Sequence, residues 1–376
     1  MALTDIDGQR LGDSVADKLG DRNLIINGEM QVAQRGTTDT QTQYGGYPTC
    51  DRWHVQLDNA SQTTFTKETS GGPDGFTNFF KWNVDSADAS VAAASNVYLD
   101  QRLEGFDLQR LGYGTSAAKP LTISFYVKGS RTGTYVLELD NRNSSRHVGQ
   151  TYTIDAADTW EYKTITFPAD TTGTFNDDNG ESLRIKWWLQ AGTNFTTGTL
   201  PTSWAAQSNV NNAAGQSINL QDTAGSNWNI TGVQLEVGNT ETPFQHESYA
   251  KTLLKCQRYF QIIDGTVAGG SLIFGNGATR SSNNSHIQIP LGIALRDKPT
   301  LSVTNTIRMT FSGSNSDSAL NTATLNGITP SVHTDNTNFN VTINYNGNIG
   351  YSIAAAQSGI TMMLNTPGTV RLDSEL

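Results

Sequence analysis

Asn227 to Phe260 reads NWNITGVQLEVGNTETPFQHESYAKTLLKCQRYF, and the organisation of the chain can be worked outward from it. Val233, Leu235 and Val237 alternate with Gln234 and Glu236, the period of a strand that buries one face. Trp228 and Ile230 alternate too, one residue out of phase, so a bulge near Gly232 or a change of buried face must absorb the slip. Gly238-Asn239 breaks the strand, and Pro243 stands where a helix can begin. Tyr249, Leu253, Cys256 and Phe260 recur at helical spacing, and Glu247 and Lys251 form an i,i+4 pair of opposite charge. The stretch reads as the last strand of one domain, a short helical connector over 246–258, and the first strand of the next domain.

The two sides of this seam differ in composition. Before Lys255 the chain holds 18 Lys+Arg against 29 Asp+Glu; from Lys255 onward it holds 7 against 6. All seven Trp lie before Lys255. The acidic first portion argues against nucleic-acid backbones and anionic membranes as partners. A length of 376 residues gives room for two domains, and 36 Gly with only 16% charged residues point to turns and strands. The 14 Phe, 12 Tyr and 7 Trp are too many for a disordered chain. No apolar run approaches the roughly 20 residues that span a bilayer. Residues 1–20, MALTDIDGQRLGDSVADKLG, lack the apolar core of a signal peptide. Leu11, Val15 and Leu19 fit either a short amphipathic helix or a disordered leader. Two cysteines, Cys50 and Cys256, make no disulfide framework and read as buried thiols.

Strand signals run through both parts. Trp53, Val55 and Leu57 alternate, and a strand pair flanks the turn cluster Gly71-Gly-Pro-Asp-Gly75. Tyr98 to Phe106 fits a strand or a helical turn equally well. Leu121, Ile123, Phe125 and Val127 alternate cleanly, followed across a glycine turn by Tyr135, Leu137 and Leu139. Ile165 with Phe167, then Leu183, Ile185, Trp187 and Leu189, mark two more strands. Beyond the seam, strands are expected at 259–263, 271–274, 286–291, 300–303, 307–311, 339–345 and 349–353. The fold class is therefore all-β, with antiparallel β-sandwich domains and no run of helices between strands.

Several blocks resemble tailed-bacteriophage tail fibres and related virion proteins. These are GVQLEVG followed by the Thr242-Pro-Phe244 turn and Cys256-Gln-Arg-Tyr-Phe260; Asn23 to Gly36, NLIINGEMQVAQRG; Tyr47-Pro-Thr-Cys-Asp-Arg-Trp53; and the ending Val370 to Leu376, VRLDSEL. Met30 stands where similar proteins usually have an aromatic. The order of Trp160, a long strand and a final strand also looks like jelly-roll carbohydrate-binding modules. These resemblances imply an N-terminal anchor at 1–20, a jelly-roll carbohydrate-binding-like domain at 21–245 and an oligomerising β domain at 259–376. They further imply a virion structural protein, assembled in the host cytoplasm, that attaches the particle to host-surface polysaccharide. Its partners would be two further copies of itself in a homotrimer and other virion proteins at the N-terminus. A capsid-attached fibre or decoration protein and a glycan depolymerase remain as alternatives.

No nucleophile elbow, phosphate loop or zinc motif is present, and His54, His147, His246, His286 and His333 have no ligand spacing. Nothing selects a pair of carboxylates for glycan cleavage, so a non-enzymatic role is expected. No cofactor is indicated beyond Ca²⁺, for which the loop Asn176 to Glu181 offers Asp177, Asp178 and Glu181 around a glycine; an ordinary solvated hairpin loop is the better reading of it. The alternation on the strand 183–190 turns Trp188 away from the core, beside Arg184, Lys186 and Gln190. Tyr126 points outward in the same way between Ser124 and Lys128. A flat ring among amide and cationic donors can stack on a sugar, so Trp188, Tyr126, Arg184 and Gln190 are the expected glycan-binding residues. The competing expectation is that a loop or a neighbouring subunit covers Trp188.

Overall fold

The structure, a computed structural model, describes residues 22–43, 45–88 and 90–264, and beyond them 272–281, 284–304, 307–311, 331–333, 340–346, 358–364 and 369–376. The proposed anchor at 1–20 and the strand expected at 349–353 lie outside the described residues. The chain divides into two compact units, one running to Thr252 and including Leu376, the other from Leu253 to Glu375.

The first unit opens with β1 (Thr38–Gln41), β2 (His54–Asp58), β3 (Thr63–Glu68), β4 (Phe79–Val84) and β5 (Asn96–Glu104). It continues through β6 (Leu121–Gly129), β7 (Gly133–Asn141), β8 (Arg146–Ile154), β9 (Glu161–Phe167), β10 (Glu181–Ala191), β11 (Ala205–Ala206) and β12 (Asn227–Val237). They form two six-stranded sheets, β1-β3-β4-β12-β6-β9 and β11-β8-β7-β10-β5-β2, with every described pairing antiparallel. One core is shared between them: Phe65, Phe80, Trp82, Phe125 and Trp228 from the first sheet meet Trp53, Leu99, Leu137 and Trp187 from the second side. Phe125 and Trp187 approach to 5.9 Å between ring centroids, and Trp53 and Trp187 to 5.5 Å. This is an antiparallel β-sandwich, and burial of these large rings is its main driving force.

The slip in the 227–237 pattern is a bulge. Thr231 pairs with Tyr126 but Gln234 pairs with Ser124, and Gly232 sits in the left-handed region at φ +61. That register shift lets Trp228, Ile230, Val233 and Leu235 all reach the core. The ambiguous stretch 98–106 resolves into the end of β5 and a 3-10 turn over Gly105–Leu111. The alternation of β8 is masked in the sequence by His147, Gly149, Gln150 and three threonine or arginine positions, so no strand is expected there.

The blocks that carry the family resemblance are a clasp. Asn23 Oδ1 accepts from the Leu235 backbone N–H at 3.0 Å, and Leu24 N–H donates to Leu235 O at 2.9 Å. Val233 N–H donates to Gly28 O at 3.0 Å, and a Cβ on Gly28 would lie 2.2 Å from Val233 O, so only glycine fits. Asn27 Nδ2 donates to the Val32 and Asp51 carbonyls at 2.9 Å each, and Trp53 Nε1 donates to Asn27 O at 3.0 Å. Glu236 holds the Thr242-Pro-Phe244 turn by accepting from Thr242 N and Oγ1 at 3.0 and 2.5 Å. Asp51 and Arg35 lie 3.8 Å apart as an ion pair. These motif residues are spent on backbone geometry.

A helix spans Tyr249–Gln257, and Lys251 pairs with Glu247 at 3.0 Å as the spacing requires. Cys50 and Cys256 are both buried free thiols, and burial pushes the Cys50 thiol up to about 12. In the second unit Phe260–Asp264, Thr369–Asp373 and Thr300–Thr304 form a three-stranded antiparallel sheet with Thr369–Asp373 in the middle. A six-stranded sheet runs Ile307–Phe311, Ser358–Leu364, Leu272–Ser281, Asn284–Pro290, Asn340–Asn346, Ser331–His333. Pro290 is the last residue of its strand, where a missing N–H costs least. Among the described residues no helix is long and apolar enough to cross a membrane.

Candidate functional site

The four residues expected to bind glycan do not share a surface. Trp188, Arg184 and Gln190 belong to β10 in the second sheet, and Tyr126 belongs to β6 in the first.

Trp188 faces away from the main core, as the alternation requires, but it is only 1% exposed, which corrects the expectation of a free indole. It packs with Tyr98, Val136, Ala191 and Ala213 under Phe195 and Leu200 of the irregular segment that follows β10. Ring centroids lie 5.0 Å from Tyr98 and 5.6 Å from Phe195, and Nε1 donates to Glu138 Oε2 at 2.9 Å. Gln190 is fully buried, also against expectation. A bulge between Trp188 and Gln190 sets it opposite Val97, and its Nε2 donates to Ser95 Oγ at 3.0 Å. Arg184 is committed to Glu181, with Nε and Nη2 at 2.7 and 2.9 Å from the two carboxylate oxygens.

These residues belong to a charged lattice on the outer face of the second sheet. Cross-strand register puts Lys186 between Glu138 and Asp100, and Arg184 between Asp140 and Arg102. Lys186 Nζ lies 2.8 Å from Asp140 Oδ2 and 3.4 Å from Glu138 Oε2. His147 Nδ1 meets Glu138 at 2.9 Å, His54 Nδ1 meets Asp100 at 2.5 Å, and Arg102 Nε meets Asp100 at 2.9 Å. Burial alone would raise the Asp100 carboxyl, but His54, Arg102 and Arg184 hold it well below the usual carboxylate range. Asp140 is likewise lowered against its burial by Lys186, Arg142 and Arg184. Burial works to lower Lys186, and Glu138 and Asp140 overcome it and raise the ammonium above its ordinary value. Buried charges hold only when paired in this way.

The outer face of the first sheet is different. Tyr126, half-buried, has its cross-strand partner Tyr162 at 4.9 Å and Phe76 at 5.5 Å between ring centroids. Tyr162 is 46% exposed. Two residues along, Lys128 Nζ lies 4.8 Å from the Trp160 ring centroid and 5.3 Å from that of Phe79, and the two rings meet edge-on at 5.2 Å. Trp160 Nε1 donates to Gly71 O at 2.9 Å, which fixes the indole. From Lys128 the pairing continues across the sheet through Asn229, Lys81, Thr66 and Thr38. A neighbouring row carries Asn83, Thr64 and Thr40. The face thus offers ring platforms at one edge and hydroxyl and ammonium groups beyond them; Asn229 in the row is buried, its Nδ2 donating to Lys128 O and Asn227 Oδ1 at 3.1 and 2.8 Å. Of the expected glycan-binding residues only Tyr126 lies on this face; Tyr162, Trp160 and Lys128 were not among them. The signal was available: Tyr162, Thr164 and Thr166 alternate with Ile165 and Phe167, and the same phase reaches back to Trp160.

Asp177, Asp178 and Glu181 do not converge on a cation site. Asp178 Oδ1 accepts from Gly180 N–H at 2.9 Å and its Oδ2 from Asn176 Nδ2 at 3.2 Å, closing the loop on itself, while Glu181 is taken by Arg184. Among the described residues no group of three His, Cys, Asp or Glu side chains is placed to hold a metal ion.

No known protein family matches the chain, and no curated protein sequence matches it. Solved structures with similar strand arrangement include the enzymatically active domain of tailspike protein 4 of bacteriophage CBA120, 10% identical at a TM-score of 0.31. That match covers 57% of this chain and 21% of the tailspike chain. A family 11 carbohydrate-binding module of Clostridium thermocellum, with a mixed-linked tetrasaccharide, is 12% identical at a TM-score of 0.26, covering 59% of this chain and 97% of the module. A tandem pair of carbohydrate-binding modules from a Paenibacillus barcinonensis protein is 8% identical at a TM-score of 0.25, covering 92% of this chain and 100% of the pair. None of these likenesses is close enough to carry a function across.

Proposed function

We propose that this chain is a non-enzymatic virion protein of a tailed phage, a tail-fibre or tail-appendage subunit that binds host-surface glycan on the outer face of its first sheet. The observation that carries the reading is the row of outward rings, Tyr126, Tyr162 and Trp160, beside Lys128 on the same face and Lys81 and Thr66 further across the sheet. Ring faces stack on pyranose faces, and the hydroxyls and ammonium groups match sugar hydroxyls. The clasp residues that resemble phage virion proteins support the virion role. A homotrimer, attached to other virion proteins through residues 1–20, completes the proposal by analogy with fibre proteins, which are commonly three-fold. The absence of catalysis is supported by where the buried acids go: Asp100, Glu138 and Asp140 are held in ion pairs under cover.

Three measurements on the full chain test the reading. Antibody against the protein should label the tail appendages of the particle; label spread over the capsid instead gives the decoration alternative. Purified protein should bind host cells, and the double variant Trp160→Ala, Tyr162→Ala should not. Incubation with host polysaccharide should release no reducing sugar; steady release would make the protein a depolymerase.

A further inference from the structure

We infer that the glycan this face takes is acidic, a polysaccharide whose repeat carries a carboxylate, and that Lys128 reads that charge. This rests on the glycan-binding role proposed above for the same face. Among the described residues no carboxylate pairs with Lys128, whereas nearby cations are compensated: Lys81 by Glu68 at 3.4 Å, Lys163 by Glu161 at 2.7 Å and Arg131 by Asp222 at 2.5 Å. The Lys128 ammonium is instead steered by the Trp160 and Phe79 rings. Cation–π contact of this kind orders a long side chain without neutralising it, so less freedom is lost when a ligand arrives.

The register sets the geometry. Lys128 and Tyr126 are two residues apart on β6 and share the outer face, a separation of about 7 Å at the ordinary strand rise. A sugar ring stacked on Tyr162 or Trp160 therefore has its substituents within reach of the ammonium. A neutral sugar offers it hydroxyls; a carboxylate offers a charge-assisted bond about twice as strong. The net charge of −10 repels a polyanion at long range, so recognition has to come from this local pair. The expected salt dependence is that of one ion pair, far from the steep slope of a basic patch.

The test uses the full chain against immobilised bacterial capsular polysaccharides, some bearing uronate and some neutral. Each uronate polymer is accompanied by a counterpart whose carboxyls have been reduced to alcohols. Wild-type protein should bind one or more uronate polymers, and carboxyl reduction should weaken that binding about tenfold. Lys128→Gln should erase the difference while keeping the weaker binding, and its thermal midpoint should match wild type. Binding that ignores carboxyl reduction, preference for neutral polymers, or silence on every uronate polymer overturns the inference. If Trp160→Ala with Tyr162→Ala abolishes binding while Lys128→Gln changes nothing, the face stands and its acidic specificity falls. If the aromatic double variant binds like wild type, the face itself is the wrong site.

Discussion

The two outer faces of the sandwich are built from the same kind of strand and end in opposite states. On β10 the outward positions are Arg184, Lys186 and Trp188; on β6 they are Ser124, Tyr126 and Lys128. The alternation gives no hint that Lys186 and Trp188 are buried while Tyr126 and Lys128 stay half-buried. What separates them is the covering chain. Residues 192–219 lie over the second sheet so closely that a Cβ on Gly149 would sit 2.3 Å from Leu200, while the Gly149 N–H donates to Pro201 O at 2.8 Å. Trp188 packs under Phe195 and Leu200 of that segment, and beside it Glu138 and Asp140 take up Lys186. On the first sheet Lys128 and Trp160 are only half-buried, and Tyr162 stays 46% exposed. Pointing away from a core and being reachable by a ligand are separate properties, and the second is decided by irregular chain far off in sequence.

This contrast can be broken by experiment. The largest effects should come from the sealed face. Lys186→Ala removes the buried cation that Glu138 and Asp140 share and should cost about 3–5 kcal/mol in denaturant unfolding. Trp188→Ala opens a cavity and removes one hydrogen bond to Glu138, and should also cost about 3–5 kcal/mol, as much as Trp187→Ala on the core side. A Trp188→Ala protein of unchanged stability would mean that the cover is not closed.

Acid should come next. Asp100 and Asp140 have carboxyls depressed by folding, so their stabilisation is complete above the ordinary carboxylate range and is lost as pH falls through their lowered values. The thermal midpoint should hold from neutral pH to about pH 5 and fall steadily below about pH 4. Asp100→Asn should be less stable at neutral pH and lose less on acidification; equal loss in both proteins would show that the lattice does not govern the acid response. The smallest change in stability belongs to the open face. Tyr162→Ala should move stability by no more than about 0.5 kcal/mol while weakening glycan binding roughly two- to tenfold in a titration. A large loss of stability would remove the distinction between the faces.

Much of the sandwich was legible because alternation carries it. The Gly232 slip announced a bulge, and Leu121 to Val127 and Leu183 to Leu189 announced central strands with one buried face. The covering segment was not legible, since 192–219 has neither period and its contacts lie up to a hundred residues away. The charged lattice lay halfway between. Glu138 and Asp140 alternate with Leu137 and Leu139, so an antiparallel pairing of the two strands already sets acids against Arg184 and Lys186. Without the cover, though, those pairs look like ordinary surface charges. The loop at Asp177 and Asp178 looked like a cation site because composition cannot tell an acid that waits for a ligand from one already spent on its own turn.

The clasp has a mechanical consequence. Arg22 Nη2 donates to Pro243 O at 2.7 Å, Gln245 Oε1 accepts from the Arg22 and Asn23 backbone N–H groups at 3.2 and 3.4 Å, and Leu24 is bonded to Leu235. The chain enters and leaves the sandwich at one spot, laced together. A pull applied between residue 22 and residue 245 is taken up by these few bonds before any tension enters the sheets. The sandwich hangs beside the line of force, and its ring-bearing face keeps its shape while the polypeptide on either side is under load.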